Sequence, residues 1–375
     1  MKLGHVDEFE GLRGLMALWV VVGHWAGAAF NDVSLAPSYA VDVFIILSGF
    51  VIAFLRRTSA ELYSSYLLRR FLRLFPVYLA VLCVSALLLD VARDTFMQTQ
   101  HGFMSGRRIA IIDNTQAAFW PHLLAHLTLL HGLVPDRLLL DTAFAFVGQA
   151  WSISVEWQFY LVAPLLITWL FSAQRFRSQL GLAVLTVCCI VLARYLGSGF
   201  VGHYLHLFTI GIGSFALYEW CSRSQWPLHL VRGALAVLLP LLTLASTALV
   251  PLVIWVFALH VVIAARADTA SVEARAATVA TSAPLRYLGR ISYCVYLSHM
   301  VVLMLGMRAL AELHLGATAY ALCLLAITIG GTLLVSSALH HSIEQPAIDL
   351  GRWYLQRGRS SATHKSMATL QGGLQ

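Results

Sequence analysis

Residues 10–24 read Glu10-Gly-Leu-Arg13-Gly-Leu-Met-Ala-Leu-Trp-Val-Val-Val-Gly-His24, within an apolar run that extends from Leu12 to Phe30. A run of this length suits a helix that crosses a bilayer. Arg13 and His24 are eleven residues apart, about three helical turns, so they share one face and His24 lies roughly 16 Å deeper. An ionisable side chain at membrane depth is costly and by default marks a functional site. The alternative is an arginine that reaches the lipid headgroups and a histidine that bonds to a neighbouring helix.

The composition is that of a polytopic membrane protein. Of the 375 residues, 59% are hydrophobic and 11% are Asp, Glu, Lys or Arg, against roughly 25% charged residues in soluble domains. The net charge is +7, but the basic residues punctuate apolar segments, whereas nucleic-acid binders carry them on a polar surface. None of the six cysteines stands in a C-x-x-C pair, so neither a metal site nor a disulfide framework is predicted.

Apolar segments of suitable length predict an all-α bundle of about ten transmembrane helices. These segments are 13–31, 39–55, 74–92, 151–171, 179–196, 201–219, 230–247, 249–265, 290–310 and 317–338. If the N-terminus is cytoplasmic, 19 of the 25 Lys and Arg residues fall on the cytoplasmic side, as the positive-inside rule requires. Both termini are therefore predicted to be cytoplasmic.

The chain is expected to form one membrane domain over residues 1–350, because no internal repeat or separate soluble domain is visible. The loop 93–150 is predicted to be extracytoplasmic, with residues 120–131 along the membrane interface. A small cytoplasmic loop is expected at 266–286. Residues 351–375 are expected to form a polar cytoplasmic tail.

Two clusters of polar residues lie in or beside the second and third spans. Asp42 is near the outer end of the second span, and Ser48 and Gly49 interrupt that span at mid-depth, where glycine permits close approach of a ligand or backbone. A helix cap at Asp42 and a small-residue helix contact are the alternatives. Arg70 and Arg73 lie at the inner mouth of the third span and face the same way. Their forked donors match phosphate geometry, although arginines there also anchor a span to the cytoplasmic side.

Further candidates lie in the fourth span and near the C-terminus. Glu156 is buried in an aromatic run that begins at Trp151, with Tyr160 one turn further on the same face. A carboxylate at this depth needs a partner, for which the first-span histidine or an arginine is expected; a structural ion pair is the alternative. Tyr293 and His299 are candidates for the acceptor side of a site, together with Trp151.

Taken together, these clusters resemble the family-3 membrane acyltransferases, which O-acylate bacterial surface sugars and related molecules. The motifs run in order along nearly the whole chain. They are Arg13 and His24 with ten residues between them, Val41-Asp42-Val-Phe44, Leu47-Ser48-Gly49-Phe50, Arg70-Phe-Leu-Arg73 ahead of Pro76, Trp151-Ser152 with Glu156 and Phe159-Tyr160, Ser292-Tyr293 with Tyr296-Leu297 and His299, and Ile343-Glu344 with Pro346. The chain departs from the pattern with Trp157, where an acidic residue often stands, and with Ile45, where a second Phe is common.

The resemblance implies an enzyme of the bacterial cytoplasmic membrane that moves an acyl group, usually acetyl, from cytoplasmic acyl-CoA to a hydroxyl of a carbohydrate. Acyl-CoA is then a co-substrate, and no permanently bound cofactor or metal is expected. The expected partners are acyl-CoA, a carbohydrate or lipid-linked glycan and membrane lipids, with no nucleic acid. Exopolysaccharide, O-antigen, a lipid-linked oligosaccharide and a small secreted glycoside all remain possible acceptors.

The resemblance also assigns function to the first-span residues and to the arginine pair. A neutral imidazole suits a general base near pH 7, so His24 is the predicted base, oriented by Glu156 or Asp42. A covalent acyl-histidine is the alternative. The residues predicted to bind acyl-CoA are Arg13, Arg70, Arg73, Ser48 and Gly49. A transporter or exporter of a lipid-linked sugar is the competing class, although transporters often show internal repeats and broken helices that this sequence lacks.

Overall fold

The computed structural model describes residues 6–30, 33–59, 61–99, 105–171, 175–222, 228–267 and 270–357. Within those ranges all regular secondary structure is helical. The helices are α1 Glu8–Ala29, α2 Pro37–Thr58, α3 Tyr63–Leu87, α4 Leu89–Gln98, α5 Ser105–Ala117, α6 Phe119–Leu127, α7 Trp151–Leu170, α8 Arg175–Leu192, α9 Leu205–Cys221, α10 Leu228–Ala245, α11 Val250–Ala267, α12 Val272–Ala280, α13 Ala283–Leu310 and α14 Ala317–Leu339.

The predicted all-α membrane bundle is confirmed. Among the described residues, seven helical segments are long and apolar enough to cross a membrane. They contain α1, α2, α3, α7, α11, α13 and α14. The other three predicted spans coincide with α8, α9 and α10, which have 17 or 18 residues. A total of ten spans and cytoplasmic termini therefore remain predictions.

The third span begins earlier than its apolar run. Helix α3 starts at Tyr63, eleven residues before the predicted 74, because the turns that contain the arginines are rich in good helix formers such as Leu and Arg. With a rise of about 1.5 Å per residue, Arg73 lies about 15 Å along the helix from its start. Arg70 and Arg73 thus belong to the helix itself, and their position at the inner mouth of the span remains a prediction.

The segment 93–150 is a packed layer rather than an open loop. It contains α5, α6, most of α4 and three short 3₁₀ turns. Helix α6 buries His122 and His126 on one face and exposes Trp120, Leu124 and Leu127 on the other, so its position along the membrane interface remains a prediction. His126 donates through Nε2 to the Thr142 carbonyl at 2.9 Å and accepts from the Tyr78 hydroxyl through Nδ1 at 2.7 Å. Burial lowers the pKa of His126 well below its usual value, which keeps this histidine neutral.

Two segments that the sequence assigned to loop or tail are helical. Helix α12 occupies the predicted 266–286 loop, and the Ser271 hydroxyl caps it by accepting from the Ala274 N–H at 3.1 Å. The helix that begins at Ala317 continues to Arg357 through a π-turn at His340–Glu344. The first residues of the predicted tail, 351–357, are therefore helical, and residues 358–375 lie outside the described ranges.

Glycines allow α2 and α9 to pack with their backbones in contact. A Cβ atom on Gly49 would lie 2.3 Å from the Phe208 carbonyl oxygen, and one on Gly211 would lie 1.9 Å from the Ile46 carbonyl oxygen. Both distances are too short for any side chain, since the obstructing atoms belong to helix backbone. This contact fixes the face of α2 that is turned toward the centre of the bundle.

Replacing Gly211 by alanine is therefore expected to destabilise the protein. The added methyl group must push α2 and α9 apart, and overpacking of this kind costs about 1–3 kcal/mol. Gly213→Ala is the matched control, because Gly213 lies in the same helix and its Cβ would meet nothing within 4 Å. Thermal unfolding in detergent should show a lower midpoint for Gly211→Ala only; equal midpoints for the two variants would contradict the close contact.

Candidate functional site

The centre of the bundle holds two adjoining cavities. The inner cavity, of about 80 Å³, is lined by polar residues from α1, α2, α3, α7 and α13. The outer cavity, of about 350 Å³, lies between the bundle and the packed layer of residues 93–150. Val41 and Tyr296 line both cavities and form the boundary between them. The sequence clusters therefore line two neighbouring cavities that share a wall.

Glu156 is the anionic centre of the inner cavity. Its Oε1 atom accepts hydrogen bonds from the Ser48 hydroxyl at 3.1 Å and from the Tyr160 hydroxyl. Ser48, Glu156 and Tyr160 all line this cavity. From the sequence we predicted that Glu156 orients His24. In the structure the Glu156 carboxylate accepts hydrogen bonds from these two hydroxyls instead.

Arg70 lines the inner cavity and has a donor nitrogen without a hydrogen-bond partner among the described residues. Its guanidinium lies over the rings of Tyr66 and Tyr160, 5.8 and 5.5 Å from their centroids. Its buried Nε atom has no hydrogen-bond partner in the described part of the protein, and the Ser292 hydroxyl in the same cavity is also unpartnered. Since buried polar groups are nearly always hydrogen-bonded, these atoms indicate a place for a polar ligand.

Arg13 and Arg73 complete the cationic wall of the inner cavity. Each lies within electrostatic range of Glu156 and of Glu344, a buried carboxylate in the π-turn after α14. The three arginines of the cavity outnumber these two carboxylates. The inner cavity is therefore suited to an anionic or strongly polar ligand.

His24 lines the outer cavity, and its neighbour is His299. The Nδ1 atom of His299 lies 2.7 Å from the Tyr296 carbonyl, and a carbonyl only accepts, so this nitrogen carries the hydrogen. The Nε2 atom of His299 is then free to accept from His24 Nδ1, which lies 3.2 Å from it and 3.0 Å from the Val20 carbonyl. In this arrangement the Nε2 atom of His24 retains its lone pair.

Tyr296 is held firmly at the boundary between the cavities. Its hydroxyl donates to the Gln149 carbonyl at 2.9 Å and lies 2.7 Å from the Ser152 hydroxyl. Gln149 in turn donates through Nε2 to the Leu297 carbonyl at 2.7 Å. These bonds connect α13 to the start of α7 at the level of the boundary.

Most of the predicted site residues line one cavity or the other; Gly49, Asp42 and His299 do not. Trp151 lines the outer cavity, and Tyr293 lines the inner one, where its hydroxyl donates to the Leu74 carbonyl at 2.6 Å. Gly49 lies where α2 contacts α9, which was the alternative to a role in binding acyl-CoA. Among the described lining residues Asp42 belongs to neither cavity; it lies within electrostatic range of Tyr204.

Sequence reasoning missed two features of the site. Arg108 was assigned to an outer loop, but it lines the outer cavity, and nothing in its local sequence distinguishes it from the neighbouring Arg107. Cys294 was assigned no role from the sequence, but its thiol donates to Glu344 at 3.3 Å. His340 lies 2.8 Å from the same carboxylate, and the three donor atoms lie within 4.8 Å of one another. The histidine and glutamate at i and i+4 were the available signal for this cluster.

Comparison with known proteins identifies the family. The profile of the acyltransferase-3 family, described as an acyltransferase domain, matches residues 6–337. The chain is 25% identical to Acyltransferase MdmB of Streptomyces mycarofaciens, over 98% of this chain and 97% of that protein. It is 30% identical to Protein 2 in picA locus of Rhizobium radiobacter, over 49% of this chain and 92% of that protein. No solved structure matches. The chain therefore belongs to the acyltransferase-3 family and is a membrane acyltransferase.

Proposed function

We propose that this enzyme transfers an acyl group, acetyl in the first instance, from cytoplasmic acyl-CoA to a hydroxyl of a carbohydrate or lipid-linked glycan. The observation that carries the proposal is the joining of a cationic inner cavity to an outer cavity that contains an imidazole with a free nitrogen. Acyl transfer to an alcohol needs a donor site, a base and an acceptor site in one continuous space. We assign the donor site to the inner cavity, and the base and the acceptor site to the outer cavity.

In this proposal the inner cavity binds the donor. Arg13, Arg70 and Arg73 attract the anionic part of acyl-CoA, and guanidinium groups match phosphate oxygens with paired donors. The unpartnered Arg70 Nε and Ser292 hydroxyl supply further hydrogen bonds. The thioester then lies near the boundary at Tyr296, within reach of the outer cavity.

His24 acts as the base in the outer cavity. Its Nε2 atom takes the proton from the acceptor hydroxyl as the oxygen attacks the thioester carbonyl carbon, forming the new C–O bond. The C–S bond breaks, and the CoA sulfur receives the same proton from His24, so the imidazole returns to its neutral form. His299 accepts from His24 Nδ1, which fixes the tautomer and favours the protonated intermediate state of His24.

The proposed orientation places the inner cavity on the cytoplasmic side of a bacterial inner membrane. At the end of the bundle where α1 begins, Arg266 lies 3.7 Å from Glu8, and Arg286 lies 4.0 Å from Asp7. The positive-inside rule assigns an arginine-rich end to the cytoplasm, where acyl-CoA is made. The outer cavity then opens toward acceptors on the other side.

The test is an assay of the purified protein in nanodiscs with [¹⁴C]acetyl-CoA and a panel of bacterial glycans. The expected result is release of free CoA together with label in one acceptor class. Vesicle-reconstituted protein is assayed in parallel for flux of a lipid-linked sugar, because a transporter would move the sugar without consuming acetyl-CoA. Flux without thioester cleavage, or failure to bind acetyl-CoA, would overturn the proposal.

A further inference from the structure

The outer cavity is unlike a site for a free polysaccharide, because its walls are mainly apolar. The residues that form them include Leu88, Phe96, Ile112, Phe146, Met300 and Met304. Pressing sugar hydroxyls against such walls without hydrogen bonds is unfavourable, whereas a hydrocarbon or other apolar group gains by entering. The bulk of the cavity is therefore suited to an apolar portion of the acceptor.

Arg108 is the exception in this apolar space. It is half-buried and lines the cavity opposite the bundle, with its guanidinium 5.2 Å from the centroid of the Phe96 ring. In the described ranges no carboxylate pairs with it. Its neighbour Arg107 instead pairs with Asp141, and Arg93 pairs with Asp113 at 2.6 Å. The described residues thus supply acidic partners to nearby arginines and none to Arg108.

An unpaired guanidinium in an apolar cavity is costly for a folded protein. Burial lowers the pKa of Arg108 only to about 10, so the side chain stays charged at neutral pH. It also lies within electrostatic range of His24 and His299, which places positive charge close to the reacting hydroxyl. The missing negative charge is therefore expected to come from a ligand that occupies the same cavity as the base.

We propose that the acceptor is an anionic amphiphile: Arg108 binds its phosphate or carboxylate, the apolar walls hold its hydrocarbon part, and its hydroxyl faces His24. The proposal rests on the proposed acyl transfer and specifies the acceptor class for it. Phosphate and carboxylate groups can each present two oxygens to the two parallel N–H donors of a guanidinium group. The phosphates of acyl-CoA are not the source, since the proposed donor site is the inner cavity.

The test compares the binding of three probes that share an octyl chain and a glucose-type ring. Octyl glucoside is neutral, octyl glucuronide carries a carboxylate, and glucosyl octyl phosphate carries a phosphodiester. Binding is measured without acyl-CoA, by ligand-dependent thermal unfolding and equilibrium titration of protein in zwitterionic nanodiscs. At least one charged probe should bind the wild type about 10- to 100-fold more tightly than octyl glucoside, as expected of a hydrogen-bonded charge pair.

Two Arg108 variants and one control identify the source of that preference. Arg108→Gln and Arg108→Met should both abolish it, whereas Arg137→Gln should retain it, because Arg137 is an exposed cation of the same outer layer that does not line the cavity. Arg108→Met should also be at least as stable as the wild type, since an apolar side chain replaces an unpaired charge. A structural role for Arg108 would instead make that variant less stable.

Each remaining outcome overturns only one of the two proposals, either the anionic acceptor or the acyl transfer. Equal binding of all three probes by the wild type, or a charge preference that survives in Arg108→Met, refutes the anionic acceptor. If the kcat of Arg108→Gln falls equally with neutral and charged acceptors while binding is unchanged, Arg108 acts on the transition state instead, which also refutes it. If the wild type prefers a charged probe and the Arg108 variants do not, but the enzyme does not turn over acetyl-CoA, only the proposed function is refuted.

Discussion

His24→Ala is expected to lower kcat for acetyl transfer by about 10³-fold, within the 10²–10⁴ range that a positioned general base contributes. Without the imidazole, the acceptor hydroxyl loses its proton only to water, and no group returns that proton to the leaving sulfur. The KM for acetyl-CoA should change little, because His24 lines the outer cavity and not the inner one. Initial rates at saturating acceptor and varied acetyl-CoA separate the two effects.

His203→Ala is the matched control for the loss of a histidine on the outer side. His203 is exposed and lines neither cavity, so this variant should keep the wild-type rate. Elution of both variants as single species in size-exclusion chromatography would show that the enzyme remains folded. Wild-type activity in His24→Ala would remove His24 from the mechanism.

His299 gives an independent check on the arrangement of the base. His299→Ala removes one of the two acceptors near His24 Nδ1 and leaves the Val20 carbonyl. It should therefore lower kcat by a smaller factor, about 10- to 100-fold, because the base remains but is less firmly oriented. Residues that act as a unit are not additive. The double variant should therefore be no slower than His24→Ala alone; a further tenfold loss would show that His299 acts separately.

The same variants distinguish general base catalysis from the covalent alternative. If the His24 Nε2 atom attacks the thioester itself, [¹⁴C]acetyl-CoA without acceptor should label the wild type at His24. If His24 only moves protons, the quenched protein carries no label, although acetyl transfer proceeds when acceptor is added. Peptide mapping of the quenched enzyme decides between the two routes.

The sequence predicted most of the helices and most of the polar residues that line the inner cavity. Ionisable groups are rare in apolar segments, so Arg13, His24 and Glu156 were visible from composition alone. The partners of these residues were not visible, because they depend on how the helices rotate about their axes. Ser48 and Tyr160 contact Glu156, and His299 contacts His24, and no local pattern fixes those rotations.

The residues that the sequence misplaced have a common physical explanation. Gly49 has no side chain, so its position is equally compatible with a ligand and with the backbone of α9. Arg108 lies in a polar segment where charge carries no penalty, so no local pattern predicts that it lines a cavity. Both assignments depend on tertiary packing between segments that are far apart in the chain.

Arg70→Gln is expected to raise the Kd for acetyl-CoA by about 10- to 100-fold, the effect of losing a hydrogen bond to a charged ligand group. Arg70 is a sharper probe of the donor site than Arg73. Its Nε atom is unpartnered and its guanidinium stacks on Tyr66 and Tyr160. Arg73→Gln should also weaken donor binding, but it leaves Glu156 and Glu344 with less positive charge nearby, so part of its effect is expected in folding.

Arg69→Gln is the matched control for this prediction, since it removes an arginine from the same helix without touching the inner cavity. Arg69 is exposed and pairs with Glu61 at 2.9 Å. Equilibrium binding of acetyl-CoA should be within about twofold of the wild type for Arg69→Gln, given the small contribution of exposed ion pairs. If Arg69→Gln and Arg70→Gln weaken binding equally, the arginines act through the net positive charge of this part of α3. If only Arg70→Gln does, the donor lies in the inner cavity, which Tyr296 separates from the cavity that contains His24.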